Sequence, residues 1–426
     1  MTALERLRAG AMAGATRLDL QLGLAEVPHD VLGLADTLEV LNLSGNRLTT
    51  LPAWLPQLKR LKVIFCSGNP FKRLPEVLGL CPALEMIGFK GCELVDIPAA
   101  SLPGTLRWLI LTDNHITHLP DVFDRCPGLQ KLMLAGNRLT ALAPTLETCG
   151  QLELLRIACN QLERLPAELL TLPRLAWLAC AGNRFSNVPA FERDGAPVLW
   201  NTLTLQHTLG EGASGTVYRA LLPTGAPVAV KCFKGHRTSD GSPEDELAAC
   251  LHAGNHPSLV PLRGRLEGHP TGLPGLVMDL IDPAYRVLAG PPSLSSCTRD
   301  SYTPGLHLER ATAHALLTSI AGAARHLHAR GVMHGDLYGH NVLYREDGHA
   351  LLGDFGAACR YVPDAGPFAR GLEALEVRAF GILLEEVAMR CAEAPADWTA
   401  LSVACQQPDP TARPLFNDVE HRLLAG

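Results

Sequence analysis

The chain has 426 residues, 47% of them hydrophobic and 19% charged. That length is too great for one ordinary core and that composition excludes a disordered chain, so about two or three globular domains are expected. The formal charge of −6 comes without any Lys/Arg cluster, which argues against a nucleic-acid binder. No apolar run reaches the ~18 residues of a membrane span. The Ala-rich start, Met1 to Ala15, lacks a continuous apolar h-region, so no signal peptide is expected. The 13 cysteines are odd in number and scattered, with no C-x-x-C pair. Buried reduced thiols in a cytoplasmic protein are the expectation, rather than disulfides or a zinc site.

From the N-terminus the dominant signal is self-similarity, whose recognition decides the fold. The segment Leu38-Glu-Val-Leu41-Asn-Leu43-Ser-Gly-Asn46-Arg-Leu48-Thr-Thr-Leu51-Pro52 restarts at Leu61, Leu84, Leu106, Leu129, Leu152 and Leu175, in steps of 23 residues with one of 22. The asparagine position reads Asn46, Asn69, Cys92, Asn114, Asn137, Asn160 and Asn183. This pattern is similar to the leucine-rich repeat. It predicts seven copies over residues 1–197, with a degenerate N-terminal cap around Leu18, Leu20, Leu24 and Val27-Pro28. Each copy offers one short strand with two inward leucines, such as Leu41 and Leu43, which only stacking can bury. The asparagines are expected inside the turn, satisfying backbone groups of neighbouring coils. The proline after the last leucine, as in Leu119-Pro120, starts the convex return.

Strand positions between the leucines face the concave side. One column reads Val40, Val63, Met86, Trp108, Lys131, Leu154 and Trp177; the other reads Asn42, Phe65, Gly88, Ile110, Met133, Arg156 and Ala179. That is apolar for a wet surface, and exposed apolar patches mark interaction sites. The face centred on Val40, Phe65, Trp108, Ile110, Met133 and Trp177 is therefore expected to take a protein partner, a substrate or the other domain of this chain. Neighbouring loops covering the patch are the alternative.

The repeats end near Val188-Pro189. Phe191 to Pro197 is short, polar and turn-rich, which sets the expected boundary between domains at 197/198.

The second half carries chemistry-bearing motifs. After Leu203-Thr-Leu205 comes Gly210-Glu-Gly212-Ala-Ser-Gly215-Thr-Val217-Tyr218. A Rossmann loop of that type would open a helix. Here β-formers follow instead, then the turn Pro223-Thr-Gly225 and the strand Val228-Ala-Val230-Lys231. A helical stretch begins at Pro243, with Glu246 as first choice and Glu244 as second choice of ion-pair partner for Lys231. Leu276 to Leu280 reads as a buried strand, and Leu308 to about Arg330 as an Ala-rich helix. Then come His334-Gly335-Asp336-Leu337-Tyr338-Gly339-His340-Asn341 and Gly353-Asp354-Phe355-Gly356.

Motifs in that order resemble the protein kinase family from Leu205 to about Leu424. The expected fold class is thus an α/β leucine-rich repeat solenoid followed by a two-lobed α+β protein-kinase-like domain, with an N-lobe over about 201–280 and a C-lobe over about 282–426. The resemblance implies Mg²⁺ and ATP. Catalytic roles fall to Asp336 (base), Lys231, Glu246 and Asn341, and metal ligation to Asn341 and Asp354. The nucleotide would lie among Leu209, Gly210, Gly212, Gly215, Val217, Ala229 and Lys231, with Met278 as gatekeeper, Asp279, Leu280 and Ile281 as hinge and Leu343 as floor. The Ala, Leu, Gly, Pro and Arg bias suits a GC-rich bacterial source.

The sequence departs from the family in several places. Gly335 stands where the family has Arg, and Tyr338 where Ser/Thr kinases have Lys; His340 is either a substitute for that cation or a plain loop residue. Between Gly356 and Glu376 the only hydroxyl is Tyr361, so activity without loop phosphorylation is expected. Pro408 to Pro414 resembles the late Arg motif, with Glu373 or Glu376 as candidate partner of Arg413. Phosphorylation of protein Ser/Thr hydroxyls is the leading reading. A small-molecule kinase of the aminoglycoside type and a pseudokinase scaffold are the alternatives.

Overall fold

The computed structural model describes residues 2–186, 197–212, 214–235, 237–363 and 366–425. The expected junction from Val188 to Asp194 and on to Ala196 lies outside them. The chain divides into two compact units, Met1–Leu169 and Leu170–Gly426.

The first unit opens with α1 (Ala3–Arg8), started by a reciprocal capping box between Thr2 and Glu5. Seven three-residue strands follow: β1 (Arg17–Asp19), β2 (Val40–Asn42), β3 (Val63–Phe65), β4 (Met86–Gly88), β5 (Trp108–Ile110), β6 (Lys131–Met133) and β7 (Leu154–Arg156). They pair in parallel, in the register of the repeat: Leu41 opposite Ile64, Ile87 opposite Leu109, Leu132 opposite Leu155. The central residue of each strand is fully buried. Short 3-10 turns such as His29–Leu34, Glu76–Leu80 and Pro144–Thr148 form the returns.

The asparagines form a ladder. Asn114 Nδ2 donates to the carbonyls of Phe89 (2.8 Å) and Leu111 (2.9 Å), and its Oδ1 accepts from the amides of Cys92 (3.0 Å) and Leu94 (2.9 Å). Asn46, Asn69, Asn137 and Asn160 repeat this pattern. Cys92 keeps only the donor half, its thiol pointing at the Cys66 carbonyl (3.1 Å). The concave columns are partly closed by their own side chains. Phe65 covers Gly88, where a Cβ would meet the ring at 2.6 Å, and the Lys131 ammonium lies 4.2 Å from the Trp108 ring centre. Val40, Phe65, Trp108, Ile110 and Met133 stay half-buried, whereas Met86, Lys131 and Leu154 are buried.

The second unit begins inside the repeats. The boundary between units at Leu169/Leu170 precedes the composition boundary at 197/198, because the last repeat, with strand β8 (Trp177–Ala179), packs within this unit. β9 (Val198–Leu199), β10 (Thr204–Glu211), β11 (Gly215–Leu221) and β12 (Pro227–Phe233) follow. After α2 (Pro243–Ala253), β13 (Leu262–Glu267) and β14 (Gly275–Asp279) complete a sheet of order β10-β11-β12-β14-β13-β9. Ala220, Val228, Val230, Leu266 and Val277 form its core, with Trp200 and Leu203 packed against it.

The larger lobe is mainly helical. β15 (Arg286–Val287) precedes α3 (Arg310–Ala329), which buries Leu316, Leu317, Ile320 and Leu327 at helical spacing. β16 (Val332–Met333), β17 (Val342–Tyr344), β18 (Ala350–Leu352) and β19 (Cys359–Arg360) frame the loops between them. β15 pairs with β17 and β17 with β18, while β16 pairs with β19. α4 (Pro367–Ala388), α5 (Ala396–Cys405) and α6 (Phe416–Ala425) finish the chain. No helix among the described residues is long and apolar enough to cross a membrane.

Candidate active site

Antiparallel pairing of β11, β12 and β14 sets the upper wall of the site. Val217 lies opposite Lys231, Lys231 opposite Leu276, and Ala229 opposite Met278. The glycine loop joins β10 to β11 and is closed by the Gly212 amide on the Gly215 carbonyl (2.9 Å). A Cβ at Gly215 would stand 2.6 Å from the Cys232 carbonyl, so the close approach of β12 requires glycine there. Around Gly210 and Gly212 a Cβ would meet nothing within 4 Å, which leaves their backbone open to a ligand. Leu209 is exposed, while Met278, Leu280 and Leu343 are half-buried. The Asp279 amide donates to the Pro261 carbonyl (2.9 Å) and its carboxylate pairs with Arg263.

Ser242 caps α2, accepting from the Asp245 amide (3.1 Å), and so aims the first turn at β12. Lys231 Nζ pairs there with Glu246 Oε1; Glu246 is buried, whereas Glu244, the second choice from the sequence, is exposed. Burial, with the nearby charge of Asp354, pushes the Glu246 carboxyl above its ordinary value despite the attraction of Lys231.

The loop from His334 to Asn341 follows β16. Asn341 Nδ2 donates to Asp336 twice, to its carbonyl (2.9 Å) and to Oδ2 (3.0 Å). His334 Nδ1 accepts from the Asp336 amide (3.3 Å) and its Nε2 donates to the Gly353 carbonyl (2.8 Å), an arrangement that needs one neutral tautomer. The buried Glu376 carboxylate accepts from the amides of His334 (3.1 Å) and Gly335 (2.6 Å) and meets His328 Nε2 at 2.7 Å. Burial alone would raise its pKa; the His328 hydrogen bond and charge, with the Gly335 amide, outweigh burial and hold it below the ordinary value.

His340 is built into the site. Its Nδ1 meets Asp300 Oδ1 at 2.7 Å, its amide donates to Asp300 Oδ2 (3.0 Å), and its Nε2 lies 3.9 Å from Asp336 Oδ2. Burial lowers its pKa, but the Asp300 bond and the charges of Asp300, Asp336 and Asp354 bring the net shift upward. Sequence reasoning missed Asp300. It lies in the Ser-rich stretch 293–303, which carries no motif, and only the fold places it beside the loop.

Asp354 adopts a left-handed backbone (φ 53°) and accepts the Gly356 amide on Oδ1 (3.1 Å). A Cβ on Gly356 would meet Asp354 Oδ1 at 3.2 Å and Glu246 Oε2 at 4.0 Å, so the loop brings Asp354 to the Lys231–Glu246 pair. Because the Asn341 amide nitrogen is committed to Asp336, its Oδ1 is the atom left to coordinate. With the Asp354 carboxylate it makes an all-oxygen donor set that fits a hard divalent cation.

One expectation is corrected. Arg413 pairs with neither Glu373 nor Glu376. Its guanidinium donates to the carbonyls of Gln407 (2.8 Å), Ala374 (3.0 Å) and Pro173 (3.1 Å), and burial pushes its pKa down to about 10. Glu373 instead accepts the Phe416 amide (2.9 Å). Trp177, on the concave column that the sequence offered to a partner, a substrate or the other domain of this chain, is 1% exposed, because its ring lies flat on Tyr338 of the loop from His334 to Asn341. Tyr361, the lone hydroxyl between Gly356 and Glu376, is buried with its OH on His328 Nδ1 (2.7 Å).

The profile described as protein kinase domain matches residues 203–371, and that described as leucine-rich repeats (2 copies) matches residues 36–79. CBL-interacting protein kinase 22 of Oryza sativa subsp. japonica is 35% identical over 166 residues, covering 37% of each chain. Serine/threonine-protein kinase PkaA of Streptomyces coelicolor is 36% identical over 176 residues, 36% of this chain and 29% of that one. Putative cyclin-dependent kinase F-2 of Oryza sativa subsp. japonica is 33% identical over 185 residues, 41% of this chain and 53% of that one. The matched regions thus span 29% to 53% of these relatives' lengths. With the repeats in register and the kinase motifs converging in one unit, the chain is a fusion of leucine-rich repeats with a protein kinase domain.

Proposed function

We propose that the chain transfers the γ-phosphoryl group of Mg²⁺-ATP to Ser/Thr hydroxyls of a protein substrate. The observation that carries this reading is the convergence of the Lys231–Glu246 pair, the Asn341–Asp336 hydrogen bonds and Asp354 in one unit. Phosphoryl transfer needs positioning and charge neutralisation more than covalent chemistry. Lys231 supplies a cation held in place by Glu246, and the open backbone of the glycine loop would let the phosphates approach closely. Asp336, oriented by Asn341 and by the His334 tautomer, accepts the proton of the attacking hydroxyl. Mg²⁺ held by Asn341 and Asp354 would neutralise phosphate charge.

The preference for protein Ser/Thr over small molecules rests on the relatives, whose names include Ser/Thr protein kinases. The first-unit residues Val40, Phe65, Trp108, Ile110 and Met133 offer a half-buried apolar face suited to a protein partner. The 13 free cysteines, mostly buried, suit a reducing cytoplasm.

Labelled-ATP transfer by the full chain, to itself and to added protein, tests the reading. Asp336→Asn is expected to lower the rate at least ~100-fold, the range for loss of a general base. Equal rates in the two proteins would refute it.

A further inference from the structure

Asp336 lies between Gly335 and Leu337, and the carbonyls of both neighbours accept hydrogen bonds from the last repeat. The Leu178 amide donates to Gly335 O (3.2 Å), and the Trp177 indole Nε1 donates to Leu337 O (3.1 Å). The indole then stacks on Tyr338, with ring centres 4.1 Å apart and planes 6° from parallel. The Arg299 guanidinium sits 5.5 Å from the indole centre. The repeat is itself anchored: Arg378 Nε donates to the Arg174 carbonyl and Arg413 Nη2 to the Pro173 carbonyl, each at 3.1 Å. All of these residues belong to the second unit.

Gly335 records the same contact from the other side. Its φ is +75°, and a Cβ there would stand 2.4 Å from the Leu178 carbonyl and 2.7 Å from the Ala357 carbonyl. The space that a side chain at position 335 would need is filled by the backbone of the repeat.

We propose that Trp177, contributed by the final leucine-rich repeat, is a positioning residue of the phosphotransfer site, holding the peptides on either side of Asp336 through Leu337 and Tyr338. The proposal rests on the kinase reading above. Trp177 acts through the loop, by its contacts with Leu337 and Tyr338. A base misplaced by about 1 Å costs roughly 100-fold in rate, whereas the ATP contacts of Lys231 and the glycine loop lie on other elements. Loss of the indole should therefore fall on kcat and spare the KM for ATP.

The test uses the full chain as wild type, Trp177→Ala and Trp177→Phe. It reads steady-state kcat and KM for ATP, together with hydrogen–deuterium exchange of the peptide covering 332–341. Trp177→Ala is expected to lower kcat by about 10- to 100-fold with KM within about twofold, and to speed exchange in 332–341 but not in α3. Trp177→Phe keeps an aromatic ring on Tyr338 and loses the N–H, so a loss of about fivefold is expected, one hydrogen bond's worth. Wild-type kcat and exchange in Trp177→Ala would overturn the proposal. If that variant does not fold, Trp177→Phe decides, and wild-type values there would overturn it equally. A wild-type chain without ATP turnover would refute the kinase reading instead; the exchange measurement would still show whether Trp177 holds the loop.

Discussion

At the scale of residues, Glu376 shows how one buried carboxylate can organise the loop from His334 to Asn341. It receives two loop amides, from His334 and Gly335, and faces His328, which also meets the Tyr361 hydroxyl. A buried charge survives only where such partners offset its desolvation. Its folded pKa is held below the ordinary carboxylate value of 4.5. Stability from this group is therefore present above about pH 4.5 and lost as pH falls through the lower folded value. Glu376→Gln is expected to cost about 2 kcal/mol in urea unfolding at pH 7 and to flatten the loss of stability on acidification. An unchanged acid limb in the variant would show that other carboxylates dominate it. The sequence offered Glu376, with Glu373, to Arg413. It did not show that backbone carbonyls serve Arg413, since backbone acceptors leave no mark in side-chain motifs.

Among elements, the repeat strands were the most legible part of the chain. A 23-residue period, the leucine spacing and the asparagine position each express nearest-neighbour stacking, so pattern and packing coincide. Strand register follows the period, as Val40 opposite Val63 and Trp108 opposite Lys131 show. The asparagine ladder makes this quantitative. Asn114→Ala would leave the Phe89 and Leu111 carbonyls and the Cys92 and Leu94 amides short of a partner. A loss of about 3 kcal/mol is expected by thermal or denaturant unfolding. Asn114→Cys should cost less, because Cys92 shows that a thiol can keep the donor half of the ladder. Equal losses for the two would mean that the acceptor half carries the stability. In the second unit the order of motifs around Lys231, Asp336 and Asp354 was equally readable. The choice of Glu246 over Glu244 was settled by the phase of α2, which buries one and exposes the other.

At the scale of the whole molecule, division into units does not follow the division into sequence patterns. The last repeat reads as the seventh copy of one motif, yet it packs in the second unit. A fragment of residues 170–426 is accordingly expected to melt at least ~5 °C above one of residues 198–426. The shorter piece loses Trp177 and the carbonyls of Pro173 and Arg174 that hold Arg413 and Arg378. Equal melting temperatures would show that the last repeat adds nothing to that unit.

The sequence by itself determined the repeat architecture, the kinase motifs and their order, because each is written in residues close together or at a fixed period. Only the tertiary structure decided what the last repeat touches, which residue supports His340 and what receives Arg413. Trp177 and Leu337 are 160 residues apart, Asp300 and His340 are 40 apart, and Arg413 and Pro173 are 240 apart. Such contacts join a side chain to a backbone or loop position that no local pattern marks, so only the folded chain brings them into view.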